Sequence, residues 1–506
     1  MNRPFLLLTV FLTGMAVMAV EMTGSRLLAP YFGTSFFVWT NLIGVVLLAL
    51  SLGYFWGGLW ADRISEDKLG KGLYRLILAT GVLVTLIPLI SGGVFKIAVR
   101  LLPEHAVSVF WVSLVSILLI FSLPLFLFGM VTPWATRLAL SRLQGAGRVI
   151  GSIYALSTLG SLVGTFLPVL VTVPYLGSRW TFFALGGILI LLGALGGTRP
   201  VLTLVAVFPP LALLALASGR GTVGGRVLFE GESVYQYLKV ETGKIRMGNR
   251  WEQATLLKIN EGLGAQSLFH PDQVLTGYYW DQAALLPLLH PEGRKMLIIG
   301  LAGGTSARVA KKFFPDLQVE GVEIDPLVGE LARRYFGLAP EQVKVQIADG
   351  RVFLRRSSEK YDFILVDVFR DGAFVPVHLT TREFFAELRA HLNPGGIVWM
   401  NLFAPEGGSP FVTLMEQTLR SEFPAVRAFE NTRNRSLQLW GFEQGPPTDA
   451  SSPIGVSPEL KALADTVFQG WREVMPKPGA PLSSDDNSLA EILSGKLVFS
   501  QKFILP

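Results

Sequence analysis

The 506-residue chain contains no cysteine, which excludes disulfides and thiolate metal sites. The compartment stays open on that ground. Charge is also scarce: 16% of residues are charged and 50% are hydrophobic, too apolar for an ordinary soluble protein. The scarcity is uneven. Residues 1 to about 218 hold few charges, and the remainder reads as a soluble domain. Two units are expected, each long enough to bury a core. A cleavable leader is not expected either, because the first apolar stretch, residues 5–29, is too long for a signal-peptide core. The net charge of +6 is modest. Membrane topology accounts for the basic residues near the apolar stretches, so no nucleic-acid partner is implied.

Apolar stretches lie at 5–29, 38–60, 73–95, 107–130, 150–175, 180–197 and 200–218. A membrane helix needs roughly 20 apolar residues, so about seven spans are expected, the last two short enough for a tight hairpin. Arg63, Lys68, Lys71 and Arg75 in one loop, and Arg137, Arg142 and Arg148 in another, place both loops and the N-terminus in the cytoplasm. Seven full crossings would leave the rest of the chain outside. A nucleotide-using domain belongs inside, so the expectation is a multi-pass inner-membrane protein with its C-terminal domain cytoplasmic. One segment then fails to cross, or two are merged. Glu21, Ser25 and Arg26 are costly in the first span and read as a structural pair, Glu21 with Arg26 or with another helix. Gly53, Gly57, Gly58, Gly160 and Gly164 fit close helix packing.

The run Ser218–Gly225 is a glycine-rich break. It divides a transmembrane helical domain, 1–218, from a linker at 219–228, a small β domain at 229–275 and a larger domain at 276–506. Ser233–Glu241 and Ala254–Asn260 read as strands of a small antiparallel sheet. Tyr278–Leu289 reads as a helix leading into the stretch Lys295–Asp325, around which the rest is organised. Met296–Ile299 is a strand buried on both faces. Gly300, Gly303 and Gly304 follow, where glycines allow a tight turn and a close approach of backbone N–H groups to a ligand. Ser306–Phe314 is a helix, and Val319–Ile324 a second strand carrying Glu323 at its end. An acid there can take both hydroxyls of a ribose. Further strands end at Asp349-Gly350 and at Asp367, and another runs from Ile397 to Leu402. Strands alternating with helices give a Rossmann-like, doubly wound and mostly parallel sheet, which binds ligands beyond the carboxyl ends of its strands. Gly300, Glu323, Asp349 and Asp367 all fall there.

Between residues 229 and 405 several motifs occur in order: Tyr235-Gln236, Asn260-Glu261-Gly262 with Gln266, Tyr279, the glycine turn, Glu323-Ile324-Asp325-Pro326, Asp349-Gly350, and Tyr361-Asp362 leading to Asp367. In these the chain resembles the spermidine synthase family of polyamine aminopropyltransferases, in the bacterial form with a multi-span membrane region before the enzyme domain. The resemblance implies a methyltransferase-type α/β domain and S-adenosylmethionine or its decarboxylated form as substrate. Glu323 would hold the ribose and Asp349, with Gly350, would face the adenine amine. Gln236 and Gln266 would contact the nucleoside or the transferred arm. Gly300 and Gly303 would lie against the nucleoside. Tyr279 and Asp281 would belong to the acceptor side, and Asp367 would be the general base or amine anchor. The reactive group in such chemistry is a sulfonium with a good leaving group, so no metal is required. A carboxylate near the attacking amine would help it lose a proton.

Two positions depart from the family pattern. Gly303 stands where the glycine turn carries an aspartate, and Arg370, followed by Asp371, stands where a second aspartate is usual. A helix N-terminus without the acid favours an anion, and Arg370 suits a carboxylate. Both suggest that intact S-adenosylmethionine is preferred. The expected activity is therefore transfer or release of the three-carbon arm with methylthioadenosine as product. Intramolecular cleavage to a lactone, a methyltransferase on the same fold, and a transporter with a nucleoside-sensing domain stay open as alternatives. A small-molecule substrate and the lipid bilayer are the expected partners, and a homo-oligomer is left open.

Overall fold

The computed structural model describes residues 3–32, 36–100, 107–140, 146–197, 226–247, 250–260, 264–369, 375–404, 409–431, 435–445, 456–487, 490 and 493. The seventh apolar segment, the linker run Ser218–Gly225, Glu261 and Gly262, and Arg370 and Asp371 lie outside them. The chain divides into two compact units, one of long helices with Gly231–Gln236, the other built on Tyr237 onward with the strand residues up to Glu230.

The helices of the first unit are α1 (Arg3–Phe32), α2 (Phe36–Arg63), α3 (Glu66–Arg100), α4 (Val107–Leu140), α5 (Ala146–Leu167) and α6 (Val173–Leu195). Five stretches among the described residues are long and apolar enough to cross a membrane, the fifth being Ala146–Leu195. That stretch contains a π-helical turn at Pro168–Thr172 and leaves helical geometry at Gly177, with φ 80° and ψ 162°. Glycines let the helices meet backbone to backbone in pairs. A Cβ on Gly53 would stand 2.8 Å from Gly129, and one on Gly57 2.7 Å from Met130, between α2 and α4. Gly160 and Gly164 meet Phe11 and Met15 of α1 in the same way, whereas Gly58 faces open space. Glu21 is buried, and Arg26 donates to the Tyr235 carbonyl at 2.6 Å and to that of Val234.

In the second unit β1 (Arg226–Glu232), β2 (Tyr237–Met247), β3 (Arg250–Ile259) and β4 (Ser267–Phe269) form an antiparallel sheet in sequence order. A 3-10 turn, Tyr279–Leu285, runs into a short helix, α7 (Leu286–Leu289). The main sheet then alternates β5 (Lys295–Ile299), α8 (Thr305–Phe313), β6 (Gln318–Glu323), α9 (Pro326–Tyr335), β7 (Val343–Ile347), α10 (Gly350–Arg356), β8 (Tyr361–Val366), α11 (Arg382–Ala390) and β9 (Leu392–Phe403). It closes with α12 (Pro410–Glu422), β10 (Ala425–Asn431), β11 (Ser436–Phe442), α13 (Pro458–Gln469) and β12 (Arg472–Glu473).

The strand order is β12-β10-β11-β9-β8-β5-β6-β7. The five strands β9, β8, β5, β6 and β7 are parallel, and β11 joins β9 antiparallel. This is the expected Rossmann-like, methyltransferase-type sheet. Successive strand residues enter opposite cores, as the period of two requires. Met296, Ile298, Phe363 and Leu365 pack with α8 and α13, while Leu297, Ile299, Ile364 and Val366 pack with α11 and α12. The run Asn393-Pro394-Gly395-Gly396 lies inside β9, where a register shift against β8 and φ 77° at Gly395 mark a bulge.

Candidate active site

The turn after β5 brings two acids to the sheet's carboxyl edge. Gly300 has φ +88° and donates to the Val322 carbonyl at 2.9 Å, while Asp367 N–H donates to Ile299 at 2.9 Å. A side chain on Gly300 would run into the Asp367 carbonyl, so the edge closes only around glycine. Two residues on, Ala302 N–H donates to Glu323 Oε2 at 2.9 Å. One turn therefore touches both Asp367 and Glu323.

Glu323 is buried and accepts a second N–H, from Asp325, on Oε1 at 3.1 Å. Burial pushes its carboxyl up to about 7, and the N–H groups of Asp325 and Ala302 offset this only in part.

Gly303 is already in contact with protein. Its N–H donates to Ser267 Oγ at 2.8 Å, and a Cβ there would stand 2.7 Å from the Ser267 side chain and 3.0 Å from Phe336. Strand β4 covers the turn, with Thr305 Oγ1 bridging the Leu268 N–H and carbonyl at 2.9 and 3.0 Å. The anion cradle read from the glycines is already filled by protein. Gln266 is placed beside this contact, its N–H donating to Leu257 at 2.7 Å. Gln236 sits in the turn before β2, its N–H donating to Ser233 Oγ at 3.0 Å.

Asp281 is held by the loop before it. It is buried and accepts from Thr276 N–H at 2.9 and 3.0 Å, Thr276 Oγ1 at 2.8 Å and Gly277 N–H at 2.7 Å. Those bonds pin the preceding loop and use up its oxygens. Its neighbours do the presenting instead. Tyr279 and Trp280, ring centroids 4.7 Å apart, both face Asp367. Asn401, at the end of β9, donates to Asp367 Oδ1 at 3.0 Å. Burial raises the Asp367 carboxyl to about 7, with Asn401, Tyr279 and Trp280 pulling the other way. Trp280 and Asn401 were not read from the sequence. Asn401 left a signal, a polar residue interrupting the apolar run Ile397–Leu402 at the edge where Asp367 ends its own strand.

Asp349 is built differently. It caps α10, its Oδ1 accepting from Arg351 and Val352 N–H at 3.0 Å each, and Oδ2 lies 3.0 Å from His378 Nε2. The His378 hydrogen bond and the cap hold its carboxyl down, at about 2. A cleft of about 440 Å³ opens here, with Val352 and Val377 among its walls. Gly350 is buried, and a Cβ on it would strike Ile299. Below the cleft Arg351 is clamped by Glu387 and Asp485 at 2.8 and 2.7 Å.

Residues 283–442, which carry β5 to β11 and both acids of the glycine turn, match the family described as the spermine/spermidine synthase domain. The match is confined to the α/β part of the chain. A probable polyamine aminopropyl transferase of Bifidobacterium longum is 32% identical over 284 residues, covering 52% of this chain and 61% of that relative. Polyamine aminopropyltransferase 2 of Ralstonia nicotianae is 25% identical over 517 residues, covering 94% of this chain and 95% of its own length. A crystal structure of a probable spermidine synthase from Corynebacterium glutamicum aligns with a TM-score of 0.40 and 17% identity, over 53% of this chain and 97% of that one. The chain spans about three fifths of the length of the Bifidobacterium relative.

Proposed function

We propose that this chain is a membrane-anchored polyamine aminopropyltransferase. The observation that carries the reading is Asp367, a strand-end carboxylate raised to about 7 and faced by Tyr279 and Asn401, next to the turn that also holds Glu323. A general base works best when its pKa lies near the working pH. Decarboxylated S-adenosylmethionine would lie with its ribose on Glu323 and its base in the cleft between Val352 and Val377, beside Asp349. An acceptor ammonium would give one proton to Asp367. The free amine then attacks the three-carbon arm; the new C–N bond forms as C–S breaks, and the electron pair stays on sulfur. Methylthioadenosine leaves neutral, and the product nitrogen is a secondary ammonium. The protein's work is to hold nitrogen, carbon and sulfur in line.

The decarboxylated substrate is favoured over the intact one because the Gly303 and Ala302 N–H groups are spent on Ser267 and Glu323. Those two N–H groups are then not open to a substrate carboxylate. The apolar helical stretches support anchoring in the inner membrane; Ala146–Leu195 is 50 residues long and breaks at Gly177, and counting it as two crossings makes the number even and returns the α/β unit to the cytoplasmic side of the N-terminus.

The test is to incubate the purified full-length chain with each sulfonium, with and without a diamine, and to identify the nucleoside released. Methylthioadenosine from the decarboxylated form, dependent on the amine, is expected. Methylthioadenosine from intact S-adenosylmethionine without amine would mean intramolecular cleavage. S-adenosylhomocysteine would mean a methyltransferase.

A further inference from the structure

Behind Asp367 runs a chain of buried polar side chains that this chemistry has not used. Trp399 Nε1 donates to Gln282 Oε1 at 3.2 Å, and Gln282 Nε2 to Gln438 Oε1 at 2.9 Å. Gln438 Nε2 donates to Asn401 Oδ1 at 3.0 Å, and Asn401 Nδ2 to Asp367 Oδ1 at 3.0 Å. All four donors are at most 2% exposed. They come from the 3-10 turn after Tyr279, from β9 and from β11, where Gln438 and Asn401 are direct partners in register. Apolar side chains would pack there without the need to satisfy buried amides.

The chain has one polarity. An indole N–H can only donate, so Gln282 must turn its oxygen to Trp399 and has its N–H left to give. Gln438 and then Asn401 repeat the choice. The last amide can only present N–H to Asp367, and an ionised carboxylate can only accept. Amide orientation, usually an assignment, is fixed here by a donor-only group at one end and an acceptor at the other. The second N–H of Gln438 goes to Ser436 Oγ at 2.8 Å.

We propose that Trp399, Gln282, Gln438 and Asn401 form a positioning relay that keeps Asp367 Oδ1 a hydrogen-bond acceptor and directs the proton from the acceptor ammonium onto Oδ2. The role in catalysis rests on the aminopropyl-transfer reading. The proton balance is that of the proposed reaction: the ammonium loses one proton, Oδ2 gains it, and it returns to solvent after the product leaves. Among the described residues Tyr279 is the titratable group facing Asp367, from the 3-10 turn, and Trp280 and Asn401 face it as neutral groups. Arg370 and Asp371 follow in sequence and lie outside the described residues.

The test uses the full-length chain and two readouts. Gln438→Met cuts the relay at similar volume, two links from the carboxylate. Asn401→Leu removes the last link, and Trp399→Phe frees Gln282 to turn over. Protonation of Asp367 is followed by infrared difference spectroscopy against Asp367→Asn, which needs no turnover. The first two variants should shift its titration upward by about one pKa unit, equivalent to a tenfold change between the two forms. Trp399→Phe should shift it the same way by less. In turnover, kcat at pH 7 should fall about fivefold, recover at alkaline pH and leave KM for the sulfonium within about twofold. An unmoved titration in Asn401→Leu overturns the relay, as does a loss of kcat that is equal at every pH. Shifted titrations in the variants, beside a wild type that releases no nucleoside, would support the relay and overturn the transferase reading.

Discussion

Glu323 and Asp367, at the centre of the sheet's carboxyl edge, differ from Asp349 at its flank in what surrounds them. The central pair is enclosed by backbone N–H groups, aromatic rings and an amide. Nothing cationic stands opposite among the described residues, and both carboxyls rise to about 7. Asp349 follows the edge strand β7, caps a helix and meets His378, and falls to about 2. The same residue class is thereby divided into groups that can take a proton near neutrality and one that stays charged. On the proposed reading Asp367 takes the proton, while Glu323 and Asp349 recognise the nucleoside.

The comparison breaks most visibly at Asp367. Asp367→Asn keeps the shape and the contact with Asn401 but cannot accept a proton. Turnover should fall by about two to four orders of magnitude while nucleoside affinity changes little. Steady-state kinetics beside calorimetric titration of methylthioadenosine check both halves, and an unchanged kcat would remove Asp367 from the chemistry. Next comes Glu323→Ala, which should weaken nucleoside binding by roughly 1.5–3 kcal/mol through loss of a charge-assisted bidentate contact. Undiminished affinity would mean that the ribose lies elsewhere.

Glu323→Gln sharpens the contrast through stability. Its carboxyl is raised from 4.5 to about 7 in the folded chain, so the folded state binds the proton more tightly than the unfolded state. Wild-type stability must therefore fall as pH rises between those values and then level off. The glutamine variant escapes that loss. It should match the wild type near pH 4.5 and exceed it above pH 7 by about 1–3 kcal/mol, read as the melting of the ligand-free α/β unit. Equal stability at both pH values would show that burial does not govern this acid.

How much of this was legible depends on what each residue has to do. Strand ends in the α/β unit are marked by a glycine or an acid following an apolar run, so β5, β6, β7 and β8 and the edge holding Glu323, Asp349 and Asp367 were readable. Turns of the glycine loop were readable, but not their occupants. Ser267 comes from a three-residue strand 36 positions away, and no local pattern announces that it fills the Gly303 N–H. The amides behind Asp367 were missed for a similar reason. Gln282 and Gln438 are 156 residues apart and meet only after the sheet has closed. In the helical unit, apolar length was plain but continuity was not, since the π-helical turn and the break at Gly177 occur within an apolar run. Gly53 and Gly57 pack as their spacing suggested, whereas Gly58, on the adjoining face, does not.

Asp349 gives the smallest and oppositely signed effect. Its carboxyl is lowered from 3.8 to about 2 on folding, so it contributes stability that is fully present above the unfolded value and disappears as pH falls through the folded one. Part of that contribution is the cap on α10, where loss of the side-chain acceptor typically costs about 1 kcal/mol. The rest is the contact with His378, on a partly exposed surface where ion pairs are weak. Asp349→Ala should therefore be less stable than the wild type by about 1 kcal/mol at pH 6. The gap should narrow below pH 4 as the wild-type carboxyl begins to protonate. Asp349→Asn, which keeps the cap acceptor and loses the charge, should recover most of the difference at pH 6 if the cap dominates. Thermal melts of the three proteins at pH 6 and pH 3 decide it. A gap that stays constant with pH would show that the missing side chain matters for its packing and not for its charge, and the flank would then no longer differ electrostatically from the centre.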